Sequence, residues 1–264
     1  MNYSMLNQLS VVFVGAGNLA THLAQTMYQK GFNIQQIYSR TLNSAQLLAD
    51  SVGADFTNSI EQINTSADLY ITALTDEALL QLIPQLTIQR GEGLWVHTAG
   101  SVPASVWEGH CLHYGVFYPL QTFSKKRAVD FSKIPLFIEG SSPKDTQHLL
   151  EIAKRITTEV YQASSEQRKS LHLAAVFAGN FTNHMYASAA NLLEEYDLPF
   201  KALLPLIEET AEKVHYLNPQ EAQTGPAARN DEKVIEEHLK MLVPFPSLHR
   251  LYEEISNSIV NSKK

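Results

Sequence analysis

Strands alternating with helical segments as far as residue 162, and helices alone beyond it, predict an α/β protein. The expected architecture is a doubly wound, mostly parallel sheet followed by an all-α C-terminal domain. Three observations carry this. The apolar run Leu9–Val14 ends at Gly15 and Gly17, with the small Ala20 three positions on and a helical segment to Lys30 behind it. Gly31 and a second apolar run, Ile34–Tyr38, complete the order strand, tight turn, helix, turn, strand. After Ser164 and Ser165 the pattern changes to helical spacing alone.

Taken in order, the first unit reads as the opening βαβ of a Rossmann-like, dinucleotide-binding sheet. Gly15 permits the tight turn, Gly17 lets backbone approach a pyrophosphate, and Ala20 lets the helix sit close to the strand. The backbone of Gly15, Ala16, Gly17, Asn18 and Leu19 is the expected pyrophosphate cradle, its N–H groups backed by the positive end of the helix dipole. Ser44–Val52 then reads as a helix, and Ala54–Thr57 as a short third strand. Asp68–Thr75 is a fourth strand, with Asp76 the expected N-cap of a helix through Leu86. Gly93–Thr98 is a fifth strand and Ile134–Glu139 a later one; a helix from Pro143 to about Ile156 and a strand at Val160 close the sheet. The boundary is placed near residue 163, giving a Rossmann-like domain over 1–162 and a helical substrate and dimerisation domain over 163–264. Helices are expected at Glu166–Tyr196, Leu203–Leu217, Asp231–Leu242 and Ser247–Val260.

Composition narrows the class. With 264 residues, 44% hydrophobic and 18% charged, the chain can bury a sizeable core. A formal net charge of −7 argues against a general nucleic-acid binder, and Lys125-Lys126-Arg127 reads as a solvated turn. Cys111 is the sole cysteine, so neither an internal disulfide nor a thiolate metal cage is expected, and no metal is assigned. No apolar run approaches the ~20 residues of a membrane helix. The first basic residue is Lys30, so no cationic leader is expected, and the reading is a cytoplasmic protein that binds a small-molecule substrate.

The end of the second strand bears on cofactor choice. An acidic residue there would bind ribose hydroxyls and repel a 2′-phosphate. Ser39, Arg40 and Thr41 offer instead two hydroxyls and a guanidinium, which favour NADP. Ligands in such sheets bind at the carboxyl ends of strands, so Leu74, Thr75 and the segment from His97 through Ala99 to Gly100 are expected around the nicotinamide ribose and ring.

The helix after residue 165 carries a polar stripe. With about 100° per residue and His172 at zero, Asn183 falls near 20°, Gly179 near −20°, Lys169 near 60° and Asn180 near 80°. Leu173, Ala174, Phe177, Ala178 and Phe181 form the broad apolar side. Amides and imidazoles in place of Glu and Lys suggest a ladder facing a cleft, although the wet face of an amphipathic helix is as consistent with the stripe. His172 is the candidate proton donor, with Asn180 and Asn183 orienting substrate. Thr224, Gly225 and Arg229 form a loop able to hold an anionic end, although an ordinary interhelical turn is as consistent with their spacing. His238 shares the inward face of its helix with Val234, Ile235, Leu239 and Leu242, and reads as a core histidine.

These residues carry a resemblance. The start Gly15–Ala20, Ser39-Arg40-Thr41, and Ala73–Glu77 look like the cofactor domain of pyrroline-5-carboxylate reductases and their relatives, which include 6-phosphogluconate and 3-hydroxyisobutyrate dehydrogenases and deazaflavin-dependent NADP reductases. Gly115–Phe123, His172–His184 and Gln223–Asp231 resemble more closely an uncharacterised bacterial family of NADP oxidoreductase type, with a Rossmann-like domain and a helical C-terminal domain of unknown function. The resemblance spans essentially the whole chain. It implies NADP as cofactor, hydride transfer to a small imine or carbonyl substrate in an interdomain cleft, and dimerisation through the helical domain. One departure stands out. Hydroxyacid dehydrogenases of this superfamily pair a catalytic lysine with an asparagine one turn later, whereas Leu173 stands four residues after Lys169. That keeps open a non-catalytic NADP-binding regulator or scaffold, and hydride exchange with a deazaflavin.

Overall fold

A computed structural model describes residues 9–88 and 92–262. Its sheet contains β1 (Ser10–Val14), β2 (Asn33–Tyr38), β3 (Asp55–Thr57), β4 (Leu69–Thr72), β5 (Leu94–His97), β6 (His113–Pro119), β7 (Leu136–Gly140) and β8 (Val160–Gln162). The spatial order is β3-β2-β1-β4-β5-β6-β7-β8. All neighbours are parallel except β6 and β7. The chain passes from β3 at one edge back to β4 beside β1, so the topological switch, and the crevice it opens, lies between β1 and β4.

Strands covered on both faces read as continuous apolar runs because each face needs its own core. In β1, Val11 and Phe13 pack with Ala20, Leu23 and Met27 of α1 (Asn18–Gln29) and with Ala45 and Leu48 of α2 (Leu42–Val52). The alternate residues Val12 and Val14 join Tyr70, Trp95 and Trp107 against Leu79, Ile83 and Leu86 of α3 (Asp76–Leu86). Each fully buried Val, Leu, Ile, Phe or Met side chain among these contributes about 1.5–3 kcal/mol. The helix α4 (Pro143–Lys154) adds Leu149, Ile152 and Ala153 to the first core.

Strand β6 is absent from the sequence expectations, because Gly115 and Pro119 weaken its strand signature. Both have structural reasons. A Cβ on Gly115 would meet the Glu139 carbonyl of β7 at 2.2 Å, so glycine permits the antiparallel pairing, and Pro119 is the last residue of the strand.

The chain divides into two compact units, Met1–Gly179 and Asn180–Lys264. The sheet ends at Gln162, near the expected boundary. The first unit also takes in the helix α5 (Ser165–Ala175), whose Arg168 is buried in it at 1% exposure. The single regular helix expected over Glu166–Tyr196 is broken in the structure. Val176–Phe181 is π-helical and separates α5 from α6 (Thr182–Glu194). A π turn takes up more residues than an α turn, so the angular phase carried from His172 to Asn180 and Asn183 does not hold beyond Val176.

The second unit holds α6, α7 (Leu204–Lys213), the single turn α8 (Pro219–Ala222), α9 (Glu232–Met241) and α10 (Pro246–Asn261). His238 Nδ1 lies 2.8 Å from the Tyr252 hydroxyl, joining α9 to α10, a structural role matching the sequence reading. Among the described residues no helix is long and apolar enough to cross a membrane.

Candidate functional site

Gly15 sits at φ +119°, where a Cβ would lie 2.3 Å from the Ala73 carbonyl oxygen. Its N–H donates to Tyr38 O at 2.8 Å, so the turn is pinned between the ends of β2 and β4. Gly17 caps α1 with extended backbone, and its missing Cβ would meet nothing within 4 Å. The cap has no side-chain hydrogen bond and the first turn has no acidic residue. The leading N–H groups of α1 therefore face open space beside a residue without a side chain, which fits a pyrophosphate. Ala16 is buried, Leu19 half-buried, and exposed Asn18 donates from Nδ2 to Phe123 O at 3.0 Å.

At the end of β2, the Ser39 N–H donates to Thr57 O at 3.1 Å, while Arg40 and Thr41 are exposed at the start of α2. No acidic residue stands in the first turn of that helix either. Leu74 packs beside Gly15. Thr75 caps α3 by accepting from Ala78 N at 3.4 Å. Asp76, expected as the cap, is the first helical residue, and its carboxylate accepts a short hydrogen bond from the Ser101 hydroxyl. A threonine with extended backbone (ψ 153°) directly before the helix does the same work.

His97 is fully buried. The Ala99 N–H donates to its Nδ1 at 3.2 Å, so Nε2 carries the proton and donates to Pro103 O at 3.4 Å. Burial, and then the nearby Arg168 charge, lowers its pKa to about 3. The imidazole is thus a neutral brace that shapes the Thr98–Val102 turn, and half-buried Ala99 is the residue of that pair nearer the surface.

His172 lies in the first unit and meets a residue that sequence reasoning missed. Tyr118, at the end of β6, places its hydroxyl 3.0 Å from His172 Nδ1, with the rings edge-on at 6.1 Å between centroids. Gly100 makes room for both. A Cβ there would lie 2.6 Å from His172 Nδ1 and 2.9 Å from Tyr118 Cζ. Burial raises the Tyr118 pKa, while the Arg168 charge opposes that rise.

One helical turn before His172, Arg168 forms a buried brace. Its guanidinium pairs with Glu139 of β7, and it donates to Val102 O and, at 3.3 Å, to Ser165 Oγ. Glu139 also accepts from the Ser165 N–H and hydroxyl at 3.0 Å each. The Ser165 hydroxyl in turn accepts from Ala104 N at 3.0 Å. The start of α5 is therefore fixed to β7 and to the turn after β5.

Lys125, Lys126 and Arg127 are all exposed, as expected of a solvated turn, and Lys125 in addition donates from Nζ to Ala16 O of the glycine turn at 2.9 Å. Lys169 is exposed on α5. Asn180, Asn183, Thr224 and Arg229 belong to the second unit, and all four are exposed. In the Thr224 loop, Gly225 takes φ +103° and Asn230 the left-handed φ 53°. Buried Ala227 anchors that loop, and Asp231 caps α9 by accepting from Val234 N at 3.3 Å.

Fold and turn together define a Rossmann-like protein with a dinucleotide-type glycine turn and a helical C-terminal region. Residues 134–259 match a domain of unknown function, DUF2520, and residues 1–86 match the shikimate/quinate 5-dehydrogenase family. A "putative NADP oxidoreductase" from Bacteroides fragilis is 56% identical over 97% of this chain and 99% of its own, with a TM-score of 0.93. The chain belongs to that protein's family. A Thermotoga maritima protein shares the fold at 22% identity and a TM-score of 0.71, over 96% of this chain and 99% of its own. An imine reductase from Myxococcus stipitatus, solved with NADP+, does so at 14% and 0.64, over 96% and 92%. A comparison with curated proteins finds no match.

Proposed function

We propose that this chain binds NADP and acts as an oxidoreductase on a small imine or carbonyl substrate. The observation supporting this most is a shared edge: the open glycine turn after β1 and the Tyr118–His172 pair at the end of β6 stand at the carboxyl ends of parallel strands. Three strand spacings separate them, about 14 Å. The 56% identical family member described as an NADP oxidoreductase supports the same cofactor. When bound, the reduced cofactor supplies hydride.

The chain's own residues bind, orient and move a proton. The Gly15 N–H is taken by Tyr38 O, so the backbone N–H groups from Ala16 to Leu19 would hold the pyrophosphate, and Ser39, Arg40 and Thr41 the 2′-phosphate. Leu74, Thr75 and Ala99 border the nicotinamide ribose. His172, engaged at Nδ1 by Tyr118, delivers a proton from Nε2 to the imine nitrogen or carbonyl oxygen, while the hydride goes to the carbon of that double bond. The test is NADPH-dependent turnover by His172→Ala across cyclic imines and 2-oxo acids; unchanged turnover removes His172 from this role. A second reading, a non-catalytic NADP-binding regulator, is favoured by Leu173 standing four residues after Lys169. It predicts NADPH binding without turnover on that panel.

A homodimer through the helical half is also proposed, because Leu173 (61% exposed), Leu206 (63%) and Tyr216 (78%) leave large apolar surface open in the single chain. Light scattering on the purified chain tests it.

A further inference from the structure

We infer that Lys125 is a pyrophosphate ligand of the dinucleotide site, carried to the glycine turn by the segment after β6; this rests on the dinucleotide reading above. The segment is fixed to the start of α1 by several independent contacts. Lys125 Nζ donates to Ala16 O at 2.9 Å, and Asn18 Nδ2 donates to Phe123 O at 3.0 Å. His22 Nε2 lies 2.9 Å from Ser124 O, and the His22 ring stacks on Phe123 at 5.8 Å. Three consecutive residues, Phe123 to Lys125, are thus held by three hydrogen bonds and one ring contact, so the segment carries Lys125 to the glycine turn, where the Ala16 carbonyl engages its ammonium.

The charge balance at that position points to an anion. The glycine-turn end of α1 is the positive end of its dipole, with no acidic residue in its first turn and no side-chain cap. Among the described residues no carboxylate forms a salt bridge with Lys125. An ammonium brought to the positive end of a helix without an acid partner is unfavourable unless an anion joins them. The Ala16 carbonyl takes one of its three hydrogens, which leaves two for phosphate oxygens. Arg40 stands at the end of β2, beyond the strand that follows α1, so the two cations address different phosphates of one dinucleotide.

The experiment is calorimetric titration of the full chain with NADP+, NAD+ and adenosine 2′-phosphate, together with melting temperatures. Lys125→Gln keeps a donor for Ala16 O and removes the charge. It is expected to weaken NADP+ and NAD+ by the same factor, about tenfold, as for one partly exposed charge-assisted hydrogen bond. Adenosine 2′-phosphate binding and melting temperature should not move, and Lys125→Arg should retain affinity for both dinucleotides. Arg40→Ala, by contrast, should lower affinity for NADP+ alone. Wild-type affinity for both dinucleotides in Lys125→Gln overturns the inference, as does a loss confined to NADP+. If the unsubstituted chain binds neither dinucleotide, the underlying dinucleotide reading fails instead.

Discussion

Tyr118 and His172, 54 positions apart in the chain, share a hydrogen bond of 3.0 Å across the one glycine, Gly100, that leaves room for both rings. Tyr118→Phe keeps the ring and removes the hydroxyl that orients the imidazole. It should lower NADPH-dependent turnover by about ten- to a hundredfold, within the range of general acid–base contributions, with dinucleotide affinity unchanged. Gly100→Ala should lower turnover further, since its Cβ would displace His172. Initial rates beside NADPH dissociation constants separate the two effects.

Arg168 and Glu139 are unequally buried, their side chains 1% and 22% exposed. Removing the carboxylate strands a guanidinium that cannot reach water, whereas removing the guanidinium leaves a carboxylate partly in contact with solvent. Glu139→Gln should therefore destabilise the chain by about 3 kcal/mol and Arg168→Met by less, read as urea midpoints at constant m-value.

His97 is held neutral, with a folded pKa of about 3 against an ordinary value of 6.5. The unfolded chain therefore binds a proton that the folded chain refuses. The stability His97 contributes is complete above pH 6.5 and is lost progressively toward pH 3, at about 1.4 kcal/mol per pH unit. Urea unfolding at pH 7 and pH 5 should differ by about 2 kcal/mol more in the native chain than in His97→Gln, which cannot titrate.

The two glycines of the turn should fail differently. Gly15→Ala meets the Ala73 carbonyl at φ +119° and should lower folding stability by about 1–3 kcal/mol together with dinucleotide binding. Gly17→Ala has nothing within 4 Å, so its melting temperature should hold while dinucleotide affinity falls. Thermal unfolding and NADP+ titration of both variants check the contrast.

What the sequence made legible was local. The glycine turn, the alternating strands and helices, and the change to helices near residue 163 all follow from short-range spacing. Tyr118 was not legible as a site residue, because its strand is interrupted by Gly115 and its partner lies far along the chain. The Gly115–Phe123 motif was the available signal. The wet turn at Lys125 was legible, but its contact with Ala16 was not, because a backbone carbonyl has no side-chain signature. The π segment Val176–Phe181 escaped because hydrogen-bond register cannot be read from a 3.6-residue period, so the expected stripe lost phase at that point. Arg168 gave no sign of burial, since its acid partner comes from the distant strand β7.

The central claim, an NADP-dependent oxidoreductase using His172, is tested most directly by following loss of the reduced-nicotinamide absorbance with NADPH and a panel of cyclic imines and 2-oxo acids. This should be run for the native chain and for His172→Ala. The account predicts turnover by the native chain with at least one panel member, reduced about a hundredfold or more in His172→Ala at unchanged NADPH affinity. Tight NADPH binding with no turnover of any member, or equal turnover by both chains, would contradict it.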